Sequence, residues 1–288
     1  MFYKETEHYY FKFQTANAGL AKHIALGNKE VPLCIYYNDW LARDVKTNEE
    51  IYEIKDLNSN QKGQIKVFYH AAITRANVFF WLFDKQNIYL FKRKKTGVFD
   101  ADMKLWKTEK SKPKGILFKQ EKVLKKSEVF DFFAALNSNQ GYNRRTIARL
   151  EGYTEEYANH LVLNTKPSIT LENYFNFMSP TQFETLVFLI LNQGENFCSS
   201  YRGSTVYGYD LRASIEHLDG FKKGRHLVQI KKQDFGTDAL GAYTLIHLGK
   251  TIKSKNILGK DWIKKQIEIN PKIKDWLFQL FHFSSKGD

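Results

Sequence analysis

Residues 209–232 hold the pattern that most restricts how this chain can fold: two short runs of alternating apolar and polar side chains, separated by a glycine-containing turn. In the first, Leu211, Ala213 and Ile215 alternate with Arg212, Ser214 and Glu216; in the second, Val228 and Ile230 alternate with Gln229 and Lys231. Successive side chains of a strand point to opposite faces, so each run reads as a strand with one buried face. Between them, the Asp219-Gly220 and Lys223-Gly224 steps mark a turn. The spacing predicts a β-hairpin from about 209 to 232, with Asp210 at the start of one strand and Gln229 and Lys231 on one face of the other.

Those three residue types in that arrangement suit phosphodiester chemistry. Cutting a phosphodiester needs a carboxylate to hold Mg²⁺, further oxygen ligands around the metal, and a cation near the attacking water and the scissile phosphate. Asp210, Gln229 and Lys231 supply those roles. A solvated surface aspartate or lysine accounts equally well for either charged residue alone, so the conjunction carries the signal.

Upstream, Ser179–Gly194 reads as a helix, with Ser179 as N-cap, Pro180 in the first turn and Gly194 at the stop. Phe183, Leu186, Val187, Ile190 and Leu191 recur at helical spacing and predict a face that packs on the sheet, with Glu184 beside that stripe. Helix, Asp strand and Gln-x-Lys strand in this order resemble the PD-(D/E)xK nuclease superfamily, and within it the Mrr-like restriction endonucleases, where the second acidic position is often Gln. The resemblance covers about residues 179–250. It differs where Tyr209 precedes the aspartate and where 195–208, polar and aromatic, stands in place of a clear first strand.

The resemblance implies a Mg²⁺ site made by Asp210, Gln229 and Glu184, the last through water, and catalysis by these residues with Lys231 orienting or deprotonating the nucleophile. Arg212 and Lys232 would contact phosphate. It also implies double-stranded DNA as partner, restriction of foreign DNA as the role, and a homodimer by analogy with restriction enzymes. Leu240, Tyr243, Thr244 and His247 at helical spacing would form a second core helix over 241–248, where a histidine is more often a packing residue than a catalyst. A DNA-binding regulator on a degenerate nuclease fold, and a repair or recombination nuclease that recognises structure, stay open as alternatives.

The chain's 288 residues, 43% hydrophobic and 15% aromatic, leave room for a second domain. Its formal net charge of +13 favours a polyanionic partner. Only Cys34 and Cys198 occur, without a Cys/His cluster, so no zinc site or disulfide framework is expected, and a reducing cytoplasm is the default. The charged, aromatic N-terminus does not read as a signal peptide, and the longest apolar run, around Leu186–Leu191, is too short to span a membrane, so no membrane association is expected.

The fold class expected is α+β in two domains: a β-rich, barrel-like recognition domain over 1–125 and an α/β restriction-endonuclease-like core with flanking helices over 166–288, joined by a helical linker over 126–165. Runs at 31–37, 64–69, 77–83 and 88–95 read as strands, the last two forming a hairpin through Asp84–Asn87, within a short barrel or curved sheet. Tyr36, Tyr37, Trp40 and Trp81 are candidates for a pocket that stacks on a flipped or modified base; ordinary core aromatics are the other reading. Arg93, Lys94 and Lys95 suit phosphate contacts, as do Arg144 and Arg145 in a helical stretch over 143–150, although solvated charge explains both clusters. Beyond the hairpin, two amphipathic helices broken by Pro271 are expected over 261–283.

Overall fold

The computed structural model describes residues 5–12, 30–34, 57–100, 114–138, 146–200, 209–231, 244–247 and 257–281. It separates into two compact units, Met1–Lys166 and Pro167–Asp288. Tyr36, Tyr37, Trp40, Arg144, Arg145 and Lys232 lie outside the described residues.

The first unit is built on one sheet of seven strands: β1 (Thr6–Phe11), β2 (Glu30–Cys34), β3 (Asn77–Phe83), β4 (Asn87–Arg93), β5 (Phe99–Asp100), β6 (Lys114–Lys125) and β7 (Ile147–Arg149). Their order is β2-β6-β4-β3-β1-β7, with β5 beside β6. β2 and β7 are separate ends, so the sheet is open, which corrects the expected barrel. The hairpin at 84–87 forms as the sequence suggests: Asp84 Oδ1 accepts the N–H groups of Gln86 and Asn87, and Tyr89 donates to Oδ2 at 2.7 Å.

The run 64–69 is not a strand but part of helix α1 (Ser59–Ile73). Asn58 and Gln61 form a reciprocal capping box, each side chain accepting the other's backbone N–H at 2.9 Å. Ile65, Phe68, Ala71 and Ala72 fall on one helical face and are buried. Phe68, Ala71 and Ala72 pack with Tyr9, Phe80 and Phe118 of the sheet; burying a side chain such as Phe68 is worth about 1.5–3 kcal/mol.

In the stretch expected as a helical linker, the described residues before β7 form short helical turns, including α2 (Asp131–Ala134). Residues 147–149, expected as helix, extend the sheet antiparallel to β1, because Ile147 and Ala148 find buried positions there. Helix α3 (Tyr153–Leu163) follows as expected. Trp81 sits at 0% exposure, edge-on to Phe133 at 5.1 Å. Its N–H donates to His8 Nδ1 at 3.1 Å. A ring enclosed in this way presents no face to a base, so Trp81 belongs to the core and not to a pocket.

The second unit holds helix α4 (Pro180–Leu191) and strands β8 (Phe197–Ser200), β9 (Leu211–Ile215), β10 (Gly224–Lys231), β11 (Thr244–His247) and β12 (Ile257–Leu258), followed by α5 (Lys260–Glu268) and α6 (Pro271–Phe281). The sheet order is β12-β11-β10-β9-β8. β8, β9 and β10 run antiparallel, while β10, β11 and β12 run parallel. Thr244–His247 are therefore strand, correcting the second core helix expected there. A short apolar run beside a buried strand lacks the alternation that separates strand from helix in sequence. Pro271 opens α6, as the break at that residue suggests. Among the described residues no helix is long and apolar enough to cross a membrane.

Candidate active site

Helix α4 is fixed at its start by a second capping box, Ser179 with Gln182, at 3.1 and 2.8 Å. Phe183, Leu186, Val187, Ile190 and Leu191 are buried, and the helix packs on β8, β9 and β10. Against it the sheet turns Cys198, Leu211, Ala213, Ile215, Val228 and Ile230, all buried, while Arg212 and Ser214 are exposed. The alternation read from the sequence thus fixes which face carries polar groups.

At one end of the β9–β10 pair the ladder changes step. Leu211 pairs with Val228, yet the N–H of Asp210 also donates to the Val228 carbonyl, at 2.8 Å. Two successive residues facing one is the signature of a bulge, a device that re-aims a side chain at the end of a pairing. Here the Asp210 carboxylate turns onto the neighbouring strand, and its Oδ2 accepts the Ile230 N–H at 2.6 Å. Ile230 stands between Gln229 and Lys231, so the backbone of β10 anchors Asp210 beside the segment that carries both. No described residue donates to the other carboxylate oxygen.

Gln229 is half-buried and its Oε1 is buried without a hydrogen-bond partner. A buried carbonyl oxygen left unpaired costs about 1–3 kcal/mol, which a hard cation would offset. A carboxylate oxygen and an amide oxygen suit Mg²⁺, which prefers oxygen ligands and keeps several waters. No group of three His, Cys, Asp or Glu side chains clusters among the described residues; the sheet brings Asp210 and Gln229 together on neighbouring strands, while Glu184 is exposed on α4.

Two features invisible to motif reading hold this geometry. Buried Asn196 accepts the N–H groups of Glu216 and His217 at 2.7 and 3.1 Å and donates to the His217 carbonyl, tying the end of β9 to the start of β8. The hairpin tip is anchored on α5: Trp262 donates to the Asp219 carbonyl at 2.7 Å, and Lys265 pairs with the Asp219 carboxylate at 2.7 Å, holding that carboxyl below its ordinary range. Beside Asp210, the Arg212 guanidinium lies over the Tyr209 ring at 5.2 Å and donates to its hydroxyl. Cys198 is no nucleophile here, since burial pushes its thiol up to about 12.

The candidate phosphate contacts of the first unit divide. Arg93 donates to the carbonyls of Ala71, Ala72, Thr74 and Ala76, at 2.6–3.2 Å. It closes the C-terminal end of α1, where carbonyls have no helical partner, and this corrects its expected role at DNA. Lys94 and Lys95 are exposed.

Comparison of the chain with protein-family models, with curated proteins and with solved structures gives no match.

Proposed function

We propose that the second unit is a Mg²⁺-dependent nuclease of the PD-(D/E)xK kind that hydrolyses DNA phosphodiesters, in the manner of an Mrr-like restriction endonuclease. The observation that carries the reading is the Asp210 carboxylate anchored on the Ile230 N–H between Gln229 and Lys231. It is supported by the unpaired Gln229 oxygen and by α4 packing on the strands that bear these residues. Asp210 and the Gln229 amide oxygen would hold the metal, with Glu184 contributing through water. When bound, the ion polarises a phosphoryl oxygen and lowers the pKa of a coordinated water.

The chain's own residues do the rest. Ile230 N–H fixes one carboxylate oxygen of Asp210, which leaves the other for the metal. Lys231, two residues from Gln229 and on the same face of β10, orients the attacking water and offsets charge developing on the phosphorane. Arg212 grips an adjacent phosphate, and Lys94 and Lys95 add backbone contacts from the first unit. Cutting both strands of a duplex at one encounter needs two such centres, so a homodimer is the assembly this reading favours.

Asp210→Asn keeps an oxygen for the Ile230 N–H while removing the charge, and Lys231→Ala removes the cation. Each is expected to lower Mg²⁺-dependent cleavage of plasmid DNA by about 100-fold or more while DNA binding and the circular dichroism spectrum stay unchanged. Undiminished cutting by either purified variant would exclude the assignment.

A further inference from the structure

The site sits at one end of a sheet face whose chemistry continues beyond it. In the antiparallel register Ser199, Arg212 and Leu227 form one cross-strand row, and Phe197, Ser214 and Arg225 form the next. Residues directly opposite in such a ladder share a face. Arg212, Ser214 and Arg225 are exposed and Phe197 is 66% exposed, although the opposite face of the same strands is buried against α4. Neither row contains an acidic residue. The next acid along β9, Glu216, is matched by Lys223 at 2.6 Å. Two arginines on β9 and β10 and an exposed ring on the edge strand β8 thus share this polar face.

We propose that this face is the track for one strand of the nucleic-acid substrate, and that Phe197 stacks on a base that is unpaired. The inference rests on the nuclease reading and names its substrate class: DNA with a single-stranded extension or an extruded base beside the cut, in preference to a flush, fully paired duplex. Phe197 stands three residues along β8 from the position paired with Leu211, about 10 Å at the rise of a strand. That is roughly three steps of a stacked strand at about 3.4 Å each. A phosphate at Asp210 therefore places a base a few nucleotides away over Phe197, with Arg212 on the intervening backbone and Arg225 level with that base. Only an unpaired base exposes the π-face that an aromatic platform takes.

The test measures binding apart from cleavage, by fluorescence anisotropy in EDTA. The probes are a labelled duplex with flush ends, the same duplex with a single-stranded extension, and the single strand alone. Wild-type protein is expected to favour the two probes that carry unpaired bases. Phe197→Ala should weaken those two by about 5- to 150-fold and leave the flush duplex nearly unchanged, while Phe197→Tyr, which keeps the ring, should restore the preference. Arg225→Ala should weaken all three and reduce the slope of log affinity against log salt by about 0.7 to 0.9. Both sites are exposed, so neither substitution disturbs the core. If Phe197→Ala and Arg225→Ala bind every probe as wild type does, or wild type prefers the flush duplex, the track is wrong. Mg²⁺-dependent cutting by wild type would then leave the nuclease reading standing. A wild-type protein that neither binds nor cuts removes both.

Discussion

At position 8 an imidazole lies at 0% exposure with both ring nitrogens committed. Trp81 donates to Nδ1, and Nε2 faces the Asn159 oxygen at 2.9 Å, so the neutral ring with its proton on Nε2 satisfies every partner. Protonating it would place a second N–H against the indole N–H within an apolar layer. Burial accordingly pushes His8 down from 6.5 to about 4. Between those values the unfolded chain binds a proton that the native one does not, so stability rises with pH. The His8 contribution is complete above pH 6.5 and is lost as pH falls toward 4. By pH 5 the loss is about 2 kcal/mol, from 1.5 pH units at about 1.36 kcal/mol each. Glu7, desolvated but held below its ordinary range by Tyr9 and His70, loses its contribution only at lower pH. Urea midpoints of the first unit at pH 7.5 and pH 5 are expected to differ accordingly for wild type and to converge for His8→Gln. An equal fall in both proteins would remove His8 as the cause. Nothing in the sequence marks this residue, because its environment is assembled from β1, β3 and α3, which are distant in the chain.

The elements teach a different lesson about what a sequence discloses. The β9–β10 hairpin was legible because alternation is local and one face is buried, so every second residue reports on the same environment. Helix α1 is hidden because Gln64–Tyr69, taken alone, reads as a β-branched and aromatic run; Ile65, Phe68, Ala71 and Ala72 in a longer window, together with the Asn58–Gln61 cap, carry the helical period. The bulge at Asp210 was not legible, since it depends on register against Val228. The role of Arg93 is hidden for a similar reason: charge is visible in sequence, but the carbonyls it answers belong to the end of a helix and the turn after it, some twenty residues earlier. Arg93→Ala leaves those buried carbonyls unanswered and is expected to destabilise the first unit by about 2–4 kcal/mol without changing DNA affinity. A variant of normal stability that bound DNA less tightly would return Arg93 to the DNA surface. In the hairpin tip, Gly220 has φ +84°, and an added Cβ would meet Trp262 Nε1 and Leu258 Cδ2 at 3.0 Å. Gly220→Ala is expected to cost about 1–3 kcal/mol and to loosen the tip from α5, with reduced protection of the Trp262 indole in hydrogen exchange as the readout.

Across the whole molecule, 44 basic residues face 31 acidic ones. Ion pairing cannot remove that imbalance, because each pair consumes one charge of either sign: Glu172 with Lys264, Glu216 with Lys223 and Asp219 with Lys265 leave the excess of 13 where it was. Self-repulsion of such a charge opposes compaction, and binding a polyanion relieves it while releasing counterions from the polymer. If DNA is the partner, affinity must therefore fall steeply with salt, in proportion to the phosphates neutralised. Arg212, Arg225, Lys94 and Lys95 are the named contacts, and about four phosphates on duplex DNA correspond to a slope near −3.6 in log affinity against log salt. Wild type and Asp210→Asn are expected to share that slope, because in the proposed site Asp210 would hold the metal and contact no phosphate itself, whereas Lys94→Ala/Lys95→Ala should lower its magnitude by about 1.8. Anisotropy titrations of duplex DNA across a salt series in EDTA measure both. A salt-independent affinity would show that the positive surface serves something other than a phosphate backbone, whatever the chemistry at Asp210.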